Sequence, residues 1–183
     1  GGFTEVLLKR GAAHVTSVDV GHGQFHPRLA DDPRVTNIEG LNARYMEPED
    51  IDDRPIDFVV SDVSFISLKL ALVPALDLAE PGAHCLLLVK PQFEAGREAI
   101  SKAGLLKEPE TAPLVAAELE RWLTEEMGWT SLGLIPSPIS GGDGNEEFLL
   151  AGVKPEDAEG ADDDDDDADD DIDGDDVSGE DAE

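Results

Sequence analysis

The chain has 183 residues, with 13 Lys and Arg against 43 Asp and Glu and a formal net charge of -30. That length admits one domain with a full core plus a tail, and excludes two full-sized domains. Eighteen of the acids and none of the bases lie from Glu156 to Glu183; the rest is still acidic, which excludes a broad non-specific grip on a phosphate backbone, because that needs Lys and Arg to displace counterions. In chain order, "FTEVLLKRGA" predicts a helix with Phe3, Val6, Leu7 and Leu8 on one face and Gly11 ending it. "HVTSVDV" predicts a β-branched strand ending on Asp19, with "GHG" turning the chain. "VTNIEG" is a short strand and "IDFVVSDVSF" a stronger one that terminates at Asp62. A helix is expected from Ser67, interrupted by Pro74 and closed by Pro81 and Gly82. The apolar run "HCLLLVK" is the next strand, stopped behind Lys90 by Pro91. "ETAPLVAAELERWLTEEMGW" places Leu114, Leu119, Trp122 and Leu123 at helical spacing as core, and "TSLGLIPSPI" and "EEFLLAGV" close the domain as strands.

Strands alternating with helices give an α/β fold with a mostly parallel sheet covered on both faces. The last two strands are joined by "PSPISGGDGN" with no helix between them, so the final strand is expected to run antiparallel. Ligands of such sheets bind beyond the carboxyl ends of the strands. Asp19, Asp62 and Lys90 end three strands there, and Glu147 begins the reversed last strand at the same edge. Asp19 also follows Gly2 in a glycine, helix, strand, acid order that resembles nucleoside binding, where the acid accepts hydrogen bonds from ribose hydroxyls.

Cys85, the single cysteine, lies inside the apolar run; it reads as a small buried hydrophobe in a reducing compartment. No stretch approaches the roughly 18 to 20 apolar residues of a membrane span, and the N-terminus lacks the shape of a signal peptide. The expected location is the cytoplasm, with no membrane partner.

The motifs "GGFTEVLLKRGA", "VDVGHGQ", "NAR", "SDVSFISL", "VKPQFEAGRE" and "PSPISGGDGNEEFLL", spanning Gly1 to about Val153, together resemble the TlyA, or haemolysin A-like, family within the FtsJ-like ribose 2'-O-methyltransferases. The resemblance implies a Rossmann-like methyltransferase domain over residues 1–154, using S-adenosylmethionine to methylate ribosomal RNA, typically at cytidine ribose. The wider group carries a Lys-Asp-Lys-Glu tetrad, of which Asp62, Lys90 and Glu147 match the last three; Glu147 fits the pattern better than Glu146 because "GNEEFL" matches Gly-Asn-any-Glu-Phe-Leu. Gly1, Gly2, Phe3, Asp19, Asn42, Ala43 and Asp62 are the implied cofactor contacts, and Phe65 and Phe93 the candidate substrate contacts by stacking on a base, with core packing the equal alternative for either ring. It further implies that the tetrad's first lysine, the first half of the glycine motif, a central strand and a small basic RNA-binding module precede Gly1. The expected partner is ribosomal RNA or a ribosomal subunit; the oligomeric state is left open.

Within this reading a lysine between two acids is expected to hold the ribose hydroxyl and stabilise developing negative charge on oxygen, with a neutral Lys90 acting as general base the alternative. Alternative functions are base amino methylation, suggested by the aromatic three residues after Asp62 in "DVSF", a catalytically inactive binding module, and the membrane lysis that the haemolysin label names. His22 and His26 stand four apart with no third ligand, so no metal is assigned there. In the tail, "DDDIDGDDVSGE", Asp169 to Glu180, matches the calcium-loop pattern. An Asp-rich tract generates such patterns by chance and flanking helices are missing, so residues 155–183 are read as a disordered acidic tail.

Overall fold

The computed structural model describes residues 1–156; the acidic tail beyond Glu156 and its calcium-loop pattern lie outside them. Helix α1, Gly2–Lys9, leads into β1, Val15–Asp19, which pairs in parallel with β2, Val35–Glu39, from Val15 opposite Val35 to Asp19 opposite Glu39. The inner face of α1 is Thr4 and Leu8, one turn apart, whereas Val6 is 51% exposed. Phe3 and Leu7 are half-buried, so of the expected four-residue apolar face only Val6 turns outward. Between β1 and β2, the short helix α2, Pro27–Ala30, is capped by His26, whose Nδ1 accepts from the Arg28 amide.

The second sheet has the order β3-β4-β6-β5. Strand β3, Ile56–Ser61, pairs in parallel with β4, Ala79–Val89; β6, Phe148–Val153, runs antiparallel both to β4 and to β5, Thr130–Pro136, as the helix-free connection requires. Ser67 starts α3, Leu68–Ala71, its hydroxyl accepting from the Lys69 amide. Pro74 falls in the first turn of a separate helix α4, Val73–Leu78, where an amide hydrogen has no intrahelical partner to lose.

Pro81 and Gly82 do not close that helix, contrary to expectation. They lie inside β4, where Ala79 pairs with Ile56 and the register slips before His84 pairs with Phe58. That irregular stretch tolerates a residue without an amide hydrogen. Gly82, at φ +80, donates its own amide to the Lys154 carbonyl at 2.9 Å.

Helix α5, Ala112–Arg121, continues into a π-helical turn over Trp122–Glu126. Leu119, Trp122 and Leu123 are buried as expected, but Leu114 is exposed, on the outer side of the helix. These side chains join Leu76, Leu87 and Leu150 in one contiguous core whose first member is Val59. Each fully buried leucine contributes about 1.5–3 kcal/mol. Among the described residues no ladder joins β1 to β3, so the molecule carries a two-stranded sheet and a four-stranded one.

Candidate active site

Three strand ends deliver the acid, the lysine and the glutamate to one place. Asp62 is the residue directly after β3 and Lys90 the residue directly after β4. The antiparallel ladder between β4 and β6 ends on the pair Val89 and Phe148, so Lys90 and Glu147 leave the sheet one step further on, on adjoining strands. The apolar strand β4 stops at Lys90 for a local reason: Pro91 has no amide hydrogen to continue the ladder and starts a 3-10 turn, Pro91–Phe93, that carries Gln92 and Phe93 across the strand ends.

The Lys90 ammonium sits 2.8 Å from Asp62 Oδ1 and donates to Ser64 Oγ at 3.1 Å. Its side chain is only 14% exposed, against 53% for Asp62. Charge is thus paired at the inner end and open to the cleft on the acid side. Glu147 is buried, and among the described residues no ion pair joins it to Lys90. It stands with Asp143 over Gly141: a Cβ there would lie 2.7 Å from Glu147 Oε1 and 2.9 Å from Asp143 Oδ1. Asp143 is held below the usual carboxylate range, first by the Asn145 amide that donates to it, then by the Asn145 side chain and, more weakly, by the charge of Lys90. The loop of Gly141 to Glu147 therefore brings a second acid toward the lysine.

A cleft of about 1270 Å³ opens between the two sheets. Asp19, Asn42, Ala43, Asp62, Phe65 and Phe93 all line it. Asp19 Oδ1 accepts from the Gly21 amide at 2.8 Å, which fixes the carboxylate beside the turn after β1. Asn42 caps a 3-10 turn, Ala43–Tyr45, through its side-chain oxygen, so the cleft wall at Ala43 is set by a local bond. Gly1, Gly2 and Phe3 are not in the wall; Gly1 packs against Leu29 and Phe25, in the segment that follows β1.

Phe65 is 89% exposed and holds φ +64, a left-handed backbone that a bulky residue rarely adopts; its ring lies 5.0 Å from that of Phe93 at 54°. Glu94 secures this corner. Its carboxylate accepts from Ser67 Oγ and from the Leu68 amide, tying the turn after Lys90 to the start of α3, while burial pushes its carboxyl above the ordinary value against those two bonds.

Sequence reading missed three residues here. Ser64 and Asp143 gave no signal of their own, since Ser64 matters only through its contact with Lys90 and Asp143 only through the loop that Asn145 folds over Gly141. Gln92, buried in the wall with Oε1 unpartnered, was one letter of a motif.

A cleft at the carboxyl ends of parallel strands, with an acid after β1 and a charged pair beyond it, defines a nucleotide-binding α/β domain of Rossmann-like type. The same fold appears in a Burkholderia thailandensis N1-methyltransferase crystallised with S-adenosylhomocysteine, at a TM-score of 0.54 and 16% identity over 85% of this chain and 67% of that one. The chain belongs to the FtsJ-like methyltransferase family, whose profile matches residues 1–154. It is 46% identical over 151 residues to the 16S/23S rRNA (cytidine-2'-O)-methyltransferase TlyA of Mycobacterium tuberculosis, over 82% of this chain and 55% of that protein. The crystal structure of a candidate hemolysin from Lactococcus lactis matches at a TM-score of 0.78 and 38% identity, over 84% of this chain and 73% of that one. The chain thus spans about half the length of the curated relatives it matches. Among the described residues no helix is long and apolar enough to cross a membrane.

Proposed function

We propose that this chain is the catalytic part of a cytoplasmic S-adenosylmethionine-dependent methyltransferase that modifies ribosomal RNA at the ribose 2'-hydroxyl, with cytidine as the target nucleoside. The observation that carries the reading is the Lys90–Asp62 pair at 2.8 Å: Asp62 lines a cleft that Asp19 also lines, and Lys90, outside the wall itself, stands directly behind Asp62. The donor set fits the cofactor: Asp19 offers a carboxylate to ribose hydroxyls, Asn42 and Ala43 form a small-residue wall for a flat ring, and the volume exceeds that of a single cofactor, leaving room for a nucleotide. Gly1, Gly2 and Phe3, which lie outside the cleft wall, are not part of this proposed cofactor side. S-adenosylmethionine supplies an electrophilic methyl group when bound.

Everything else is positioning. As an ammonium, Lys90 has three donors and no lone pair, so it holds a ribose oxygen and stabilises the negative charge that develops there while the hydroxyl proton leaves to water in the open cleft. Asp62 and Ser64 fix its direction, and Glu147 and Asp143 bring acidic groups to the same edge from the opposite strand. Phe65, exposed on a left-handed backbone against Phe93, offers a face to the base. Holding the hydroxyl in line with the methyl is worth several powers of ten in rate.

The test is nuclease digestion of ribosomal RNA methylated by the full-length protein, followed by nucleoside mass spectrometry. The expected product is 2'-O-methylcytidine. A methyl group on the base overturns the reading, as does wild-type turnover by Lys90→Ala with S-adenosylmethionine binding intact.

A further inference from the structure

One segment of the cleft wall departs from the acidity of the rest. Residues 97–107 hold Arg97, Lys102 and Lys107, three of the chain's 13 basic residues, against the single acid Glu98. They form a small hairpin. Ile100 bridges Leu106, the Ser101 amide donates to the Leu105 carbonyl at 2.8 Å, the Gly104 amide donates to the Ser101 carbonyl at 3.0 Å, and the Lys107 amide donates to the Ala99 carbonyl at 2.9 Å. Gly96, Arg97, Ile100, Ser101 and Gly104 face the cleft, and Lys102 is exposed at the tip.

The three bases are not equivalent. Lys107 braces the hairpin by donating to the Glu98 carbonyl at 2.7 Å, whereas among the described residues Arg97 and Lys102 enter no ion pair.

The hairpin is also pinned from below. The Asn145 side chain, 5% exposed, donates to the Gly104 carbonyl at 3.0 Å and accepts from the Leu106 amide at 3.2 Å. The loop that brings Glu147 and Asp143 toward Lys90 therefore also sets the position of the basic wall. On the same cleft stand Phe65, fully presented to solvent, and Phe93. Cationic groups along a groove with an exposed aromatic beside them are the combination that holds single-stranded nucleic acid: charge for the phosphates, a ring for a base. In a body that otherwise repels polyanions, such a wall gives local rather than general affinity.

We infer that the hairpin of residues 96–107 is the docking wall for the RNA strand next to the target nucleotide, with Arg97 and Lys102 taking backbone phosphates and Asn145 acting as a positioning residue. This rests on the ribose methyltransferase reading above and names the strand contact within it. The test is fluorescence anisotropy with a labelled single-stranded oligocytidylate across a potassium chloride series. It compares the full-length protein with the double variant Arg97→Glu/Lys102→Glu and with Arg54→Glu/Arg121→Glu, which makes the same charge change at residues outside the cleft wall.

Each lost phosphate contact lowers the slope of log affinity against log salt by about 0.7, so the hairpin variant is expected to lose about 1.4 and to bind at least tenfold more weakly at moderate salt. The control pair is expected to keep the wild-type slope. Calorimetry with S-adenosylmethionine is expected to give equal affinities for all three proteins and to show that each is folded. Equal slopes for hairpin and control variants overturn this inference and leave the methyltransferase reading standing. A wild-type protein that binds S-adenosylmethionine but no RNA overturns both.

Discussion

The two sheets of this molecule are built to different standards. Around β3, β4, β5 and β6 a single buried cluster runs from Val59 to Leu150, with Leu76, Leu87, Leu123 and Leu150 wholly inaccessible. Around β1 and β2 the burial is thin: no residue of β2 is buried, Val15 is the buried residue of β1, and none of this region's side chains joins the large cluster. The candidate chemistry follows the same division. Asp62, Lys90 and Glu147 stand at ends of well-packed strands, where rotamers are held by their neighbours, whereas Asp19, Asn42, Ala43 and the glycines of α1 stand on the thin side. A charge that positions a substrate oxygen needs fixed geometry before substrate arrives, while a binding wall can be ordered by the ligand it holds.

That contrast can be broken by experiment. The largest expected effect is on Lys90→Ala, which should lower methyl transfer by roughly 10²–10⁴-fold while leaving cofactor affinity within twofold, read by single-turnover kinetics and calorimetry. Leu87→Ala should cost about 3 kcal/mol in chemical denaturation, and Val15→Ala about 1 kcal/mol; equal losses would remove the distinction between the halves. Asp19→Ala should weaken S-adenosylmethionine by roughly tenfold without touching the maximal rate, because it removes an acceptor and no reacting group. Native-state hydrogen exchange sharpens the comparison: β1 and β2 amides should exchange faster than those of β4 and β6, and the cofactor should protect the first pair more.

The smallest effect is at Cys85. Burial pushes its thiol up to about 11 from an ordinary value of 9.0. The unfolded thiol ionises first, so the stability this group contributes is complete below pH 9 and is lost as pH rises toward about 11. Cys85→Ala should flatten that decline in urea melts, and the native thiol should resist maleimide at pH 8.

Much of the domain was legible along the chain because its signals are local. Periodicity and β-branching located the strands, the helix-free loop before Glu147 announced an antiparallel last strand, and Pro91 marked the end of β4. Errors arose where a local rule met a tertiary exception. Pro81 and Gly82 read as helix terminators because the sequence does not show the register slip that admits them to a strand. Leu114 read as core because helical spacing does not say which side of the helix meets the sheet. Phe65 was a plausible stacking ring by type, but its left-handed backbone and 89% exposure belong to the folded chain.

The sequence by itself determined the order of elements, the acidic balance and the family motifs, since each depends on neighbours within a few residues. Tertiary structure decided which distant groups meet. Ser64 reaches Lys90 across 26 positions and Asn145 reaches Gly104 across 41, and neither bond has a counterpart in local spacing. Such contacts are set by the register of strands against one another, and register is a property of the assembled sheet.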